Sequence, residues 1–143
     1  MRRDRPLQII AFWTSFLLGT LFHTLLGLMP LFHGRPVVIE KALSDAQLGQ
    51  VFWGMQIFFL LPMLAIVATS FHPGRAFRRG HYWVTILYSV MNLAHLIADL
   101  VVRQAVQSLY WLQVFLMAVL FGLGLGLNRI SWLWLQERPA PIQ

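Results

Sequence analysis

Four long apolar runs dominate this chain and limit what it can fold into. They cover residues 7–29, 48–70, 82–102 and 109–127. Asp99 is the only Asp, Glu, Lys or Arg within them. About 20 apolar residues in a helix cross the hydrocarbon core of a bilayer, and backbone polar groups there must be satisfied within the chain. We therefore expect an all-α, polytopic membrane protein with four transmembrane helices in a single domain.

The composition agrees with a bilayer environment. Hydrophobic residues make up 58% of the 143 residues and charged residues 11%, whereas roughly a quarter of a soluble domain is charged. Cysteine is absent, which excludes disulfides, iron–sulfur clusters and covalently attached c-type haem. The net charge of +6 indicates membrane topology rather than a nucleic-acid partner in a chain this apolar.

The basic residues predict how the helices are oriented. Short connections favour antiparallel neighbours, so we expect an up-down-up-down bundle. The Arg residues that then lie on the side of both termini are Arg2, Arg3, Arg5, Arg75, Arg78, Arg79, Arg129 and Arg138. Only Arg35, Lys41 and Arg103 lie on the other side, which predicts cytoplasmic termini. Residues 128–143, with two Trp suited to the headgroup zone, are predicted to form an interfacial tail.

Two local signals refine the second run. Ser44 and Gln47 have the spacing of a capping box, which predicts a helix that begins near Asp45. Pro62 lies in the middle of the run and lacks a backbone N–H, so we expect a kink there.

Polar side chains inside the runs predict a layer at one depth. His23 lies six positions before the end of the first run and His95 seven before the end of the third. Gln56 lies eight positions after the start of the second run. At about 1.5 Å rise per residue, all three are roughly 9 to 12 Å from the same membrane boundary. Because polar groups that face lipid are costly, we expect these side chains to point into the bundle.

His23 and His95 are predicted to hold haem b. They belong to the first and third helices, whose axes are about 12 to 14 Å apart on the bundle diagonal, near the span of two imidazoles and one iron atom. Imidazole is a good iron ligand. Gly19 and Gly27 flank His23 on one helix face and would let a macrocycle approach the backbone. Gln56 lies at the same depth and joins the predicted cofactor site.

Two neighbours of His95 are predicted to support it. Asp99 lies one turn after His95 and Asn92 about one turn before it. Either side chain can accept the Nδ1–H of a ligating ring and fix its orientation. Asp99 also lies four residues before Arg103, and an ion pair between these two explains its position at least as well.

The other site residues have structural explanations that remain open. Small residues at every fourth position let membrane helices pack closely, and Ala118, Gly122 and Gly126 repeat the pattern in the fourth run. Gln56 and Gln113 are explained equally well by hydrogen bonds between helices.

The first functional hypothesis is a small b-type haem protein that carries single electrons to or from a quinone or a partner protein. Iron with both axial positions filled by imidazole has no open site for oxygen, which favours electron transfer. No phosphate-binding loop, HExxH motif or catalytic triad is present, so an enzyme is not indicated.

The second hypothesis is a cofactor-free accessory subunit that packs in a larger respiratory, photosynthetic or transport complex. In a variant of it, single histidines ligate chlorin pigments. Either hypothesis places the chain in a bacterial inner or photosynthetic membrane. His33, His72 and His81 receive no role from the sequence.

Overall fold

The residues described in the computed structural model are 4–35, 37, 44–71, 74–101 and 107–137. They form four α-helices, which are α1 (Arg5–Phe32), α2 (Asp45–Phe71), α3 (Arg75–Val101) and α4 (Gln107–Gln136). Each helix is long and apolar enough to cross a membrane. The prediction of an all-α chain with four helices of this kind is confirmed.

The starts of α1 and α2 follow from local capping. The Asp4 carboxylate accepts the backbone N–H of Leu7 at 3.4 Å, which satisfies one of the free donors at the start of α1. At α2 the Ser44 hydroxyl accepts the Gln47 N–H at 3.4 Å, and the Gln47 side chain accepts the Ser44 N–H at 3.0 Å. This is the predicted capping box, and α2 begins at Asp45 as expected.

All four helices are longer than the predicted runs, and α3 and α4 differ from them most. α3 begins at Arg75, seven residues before the third run. The chain does not leave the bundle at Leu127 for an interfacial tail, because α4 continues through Gln136. The reason is packing: Trp134 is only 1% exposed and contributes to the core, while Trp132 remains 46% exposed. The rest of the predicted tail, residues 138–143, lies outside the described residues.

α4 lies between α1 and α3 and packs closely against both. Arg5 pairs with Glu137 at one end of α1, and Gly27 lies beside Gln113 towards the other. α1 and α4 are therefore antiparallel. The membrane side of the termini and the complete up-down order remain predictions.

Glycines explain why α1 and α4 approach so closely. A Cβ atom on Gly19 would collide with the Leu120 side chain, and one on Gly126 would meet the Phe12 ring at 2.5 Å. Close backbone approach through small residues is how membrane helices gain packing energy without a hydrophobic driving force. Gly19 thus lies where α1 packs against α4.

α2 is peripheral in this bundle. It packs against α1, and only Pro62 and Thr69 are buried among its residues. The Tyr88 hydroxyl of α3 donates to the Phe58 carbonyl of α2 at 2.7 Å, which links these two helices near their middles. α2 is helical through Pro62, and the kink stays a prediction. The side of α3 that faces away from α4 is consequently less covered than the side that meets α4.

Candidate metal centre

Two helices bring three potential ligands together. His23 lies in the second half of α1, and α3 provides His95 and Asp99. The two α3 residues are four apart, so they project from the same face of the helix one turn apart. α1 and α3 run in the same direction, since Trp13 meets His81 near their N-terminal ends and His23 meets Asp99 nearer their C-terminal ends.

The three side chains converge on a small volume. His23 Nε2 is 3.1 Å from Asp99 Oδ2, and His95 Nε2 is 3.6 Å from Asp99 Oδ1. The two imidazole rings contact each other edge to face, with centroids 5.3 Å apart and planes at 88°. One ligand atom from each residue lies within 4.8 Å of the other two. The carboxylate therefore bridges two rings from different helices.

These separations match what a metal ion requires. Transition-metal ions bind imidazole nitrogen and carboxylate oxygen at about 2.0 to 2.2 Å. Ligands at right-angled or tetrahedral positions are then about 2.8 to 3.6 Å from each other. The observed 3.1 and 3.6 Å between Asp99 and the two rings lie within this range, and the ligand atoms of the two rings lie within 4.8 Å of each other.

The charge of Asp99 also favours a cation at this place. Asp99 lies in the last described turn of α3, where the helix dipole presents its negative end. A carboxylate there is disfavoured both by the dipole and by its apolar surroundings unless a cation or hydrogen-bond donors compensate it. Among the described residues it pairs with the two imidazole rings, and Arg103, expected to pair with it, lies outside the described residues.

The centre is closed on one side and open on another. The side chains of His23 and Asp99 are 9% and 15% exposed, but that of His95 is 55% exposed. The centre is therefore reached along the His95 ring.

The structure brings together only part of the predicted cofactor site. Gly27 faces Gln113 of α4, at 3.1 Å from a Cβ position to the amide nitrogen, and Gly19 faces Leu120 as described above. Neither glycine contact involves the two rings, and both fit the packing alternative. Gln56 is exposed on α2.

Asp99 and Asn92 also differ from their expected roles. Asp99 approaches the Nε2 atoms of both rings rather than the Nδ1 of His95, so it lies where a direct ligand would. Asn92 is 4% exposed, and neither its amide nitrogen nor its oxygen has a hydrogen-bond partner among the described residues.

A second polar cluster lies at the other end of α3 and was not predicted from the sequence. Arg78 was counted only as a topology signal and His81 received no role, yet they are 7% and 4% exposed. The Trp13 indole donates to His81 Nε2 at 2.9 Å. Arg78 donates to the carbonyls of Trp134 and Glu137 at 3.0 Å each, which places its charge at the negative end of α4.

A periodic signal in the sequence could have revealed this burial. Arg78, His81, Thr85, Asn92 and Asp99 recur at intervals of three, four or seven residues, so they share one helix face. A polar face on a transmembrane helix is expected to turn towards the bundle interior.

The comparisons found no family model, no curated protein and no solved structure that matches this chain.

Proposed function

We propose that this chain is an integral membrane metalloprotein that holds one divalent transition-metal ion with His23, His95 and Asp99. The observation that carries the proposal is the convergence of their three ligand atoms within 4.8 Å. Two imidazoles and one carboxylate suit non-haem Fe(II) and Zn, and related first-row ions follow the same preference for nitrogen and oxygen. All three ligands are therefore nitrogen or oxygen donors, and no methionine sulfur takes part in the proposed centre.

An ion held by three protein ligands keeps coordination positions for water or a second molecule. The half-exposed His95 supports access from the bilayer side of the bundle. We propose that a redox-active ion here, such as iron, exchanges single electrons with a lipid-soluble quinone or with a partner protein. A zinc ion would instead make the site structural or Lewis-acidic, and the identity of the bound ion distinguishes these cases.

Haem b held between His23 and His95 is the second candidate. The edge-to-face contact of two imidazoles from different helices favours it, because both rings already lie at one level. Haem would require the rings to separate onto opposite faces of the macrocycle and Asp99 to release His23. The three-ligand ion needs neither movement, so the geometry supports it better.

Metal analysis and absorption spectroscopy of the detergent-purified protein test the proposal together. The protein is expected to retain about one equivalent of iron, zinc or another first-row metal after dialysis. His23→Ala and His95→Ala should each lose it, while His33→Ala, an exposed histidine outside the cluster, should retain it. Oxidised and dithionite-reduced spectra are recorded on the same samples.

The outcomes separate the candidates. Bound metal without a Soret band supports the three-ligand ion, whereas a Soret band lost in both alanine variants supports haem. Equal metal content in all three variants refutes the ligand assignment. A protein that binds neither metal nor haem under any loading condition leaves the accessory-subunit hypothesis.

A further inference from the structure

A polar row follows one face of α3 through the bundle. We define the α3 polar row as His81, Thr85, Ser89, Asn92, His95 and Asp99. Consecutive members are three or four residues apart, so they lie on one face of the helix. All members from His81 to Asn92 are at most 7% exposed. The row is therefore buried from His81 to Asn92, and it continues past the exposed His95 ring to Asp99 at the candidate metal centre.

Several polar atoms along the row have no protein partner among the described residues. On α3 these are both amide atoms of Asn92 and Nδ1 of His81. On α4, Asn128 donates to Ser89 Oγ at 2.8 Å, but its own Oδ1 and the Oγ of Ser131 have no partner. Buried polar groups are almost always hydrogen-bonded, and water supplies the bond where protein does not.

The spacing of the row fits single water molecules. Steps of three or four residues correspond to about 4.5 to 6 Å along the helix axis. A water that bridges two groups with hydrogen bonds of about 2.8 Å spans up to about 5.6 Å. The distance from His81 to Asp99 is 18 residues, or about 27 Å, close to the thickness of the hydrocarbon core.

We propose that the α3 polar row carries protons through the hydrocarbon core, between the Asp99 centre and the His81 end, along side-chain hydroxyls and single waters. At each step a water or hydroxyl accepts one proton and passes another on. No bond other than O–H or N–H is broken, and nothing is oxidised or reduced. Chains of hydrogen-bonding and ionisable side chains inside membrane proteins are the usual routes for protons.

The charged and titratable groups around the row are few. Arg78 stands beyond His81, with its charge directed at two α4 carbonyls. Tyr88 directs its hydroxyl to the Phe58 carbonyl of α2, away from the row. His23 from α1 meets the row at Asp99. Asp99 is the only acidic residue of α3.

Proton flux into liposomes tests the proposal. The full chain is reconstituted with a pH-sensitive dye inside, and a potassium gradient with valinomycin drives proton uptake. A chelator is present, so the result does not depend on whether the metal assignment is correct. Wild-type vesicles are expected to take up protons about tenfold faster than protein-free vesicles at the same potential.

Two variants interrupt the row. Asn92→Leu removes an amide that has no hydrogen-bond partner among the described residues, and Ser89→Ala removes a buried hydroxyl that accepts from Asn128, with little change in volume. Each is expected to lower the protein-dependent flux about tenfold or more, because a missing link leaves neighbouring polar groups unsolvated. Val90→Leu, on the exposed face of the same helix, is the matched control and should retain the wild-type flux.

Folding and conduction are separated in the same experiment. Thermal unfolding in detergent reports whether each variant is intact, and Asn92→Ser keeps a hydroxyl that can hold water, so it should retain most of the flux. Wild-type flux equal to that of protein-free vesicles overturns the proposal. So does unchanged flux in a folded Asn92→Leu variant.

Discussion

Asp99→Asn is the most informative single change at the candidate metal centre. It keeps the shape of the side chain and removes the charge that bridges His23 and His95 at 3.1 and 3.6 Å. Residues that merely orient metal ligands account for about 10- to 100-fold in affinity. Loss of a direct anionic ligand is therefore expected to weaken metal binding at least about 100-fold, or about 2.7 kcal/mol.

The same substitution should change the stability of the metal-free protein little. A neutral amide forms a hydrogen bond that is weaker by about 1 kcal/mol than that of a carboxylate. Removal of a negative charge near the C-terminal end of α3 stabilises the folded protein by about 0.3 to 1 kcal/mol. The two effects are opposite and similar, so the metal-free Asp99→Asn protein should unfold within a few degrees of wild type.

Competition for Zn²⁺ against a chromophoric chelator in detergent measures the affinity, and thermal unfolding with excess chelator measures stability. Asp45→Asn is the matched control, since it makes the same chemical change at an exposed position in the first turn of α2. Its affinity should equal that of wild type. The reasoning is refuted if a folded Asp99→Asn protein binds Zn²⁺ within about threefold of wild type.

Three further predictions concern the fold. Gly19→Val should lower the free energy of unfolding by about 1 to 3 kcal/mol, because a Cβ there collides with α4. Gly122→Val should leave that free energy unchanged, because a Cβ there meets nothing within 4 Å. Equal melting temperatures for the two variants would contradict the packing of α1 against α4. Arg78→Met should cost about 2 to 4 kcal/mol in the same assay through two lost hydrogen bonds to α4 carbonyls, and an unchanged melting temperature would be contrary to this. A cysteine at Arg35 should react with an impermeant thiol reagent outside intact cells and one at Gly74 should not, and the reverse pattern would invert the predicted orientation.

The number and class of the helices followed from the sequence because they depend on hydropathy alone. Runs of this length without charge have few alternatives to a transmembrane helix. The ends of the helices were harder to predict. α4 extends past Leu127 because Trp134 packs against Arg78 of α3, and a contact between two helices leaves no signal in the local sequence.

The pairing of His23 with His95 followed from counting depth along the runs. Depth does not fix how each helix is rotated, however, so Asp99 was expected at Nδ1 of His95 and its approach to the Nε2 atoms of both rings was not predicted. Rotation also decides what a glycine faces, and Gly19 faces Leu120 rather than the rings. The burial of Arg78 and His81 was readable from their periodicity with Asn92, because rotation of α3 is constrained by its whole polar face.

X-ray absorption at the metal edge tests the central claim most directly. Spectra of the protein loaded with one equivalent of Zn²⁺ should show only nitrogen and oxygen neighbours at about 2.0 to 2.2 Å. They should also carry the multiple-scattering signal of two imidazoles, and His95→Ala should reduce that signal to one. A metal surrounded only by water and carboxylate oxygen, or an imidazole signal unchanged in His95→Ala, would contradict the proposed centre.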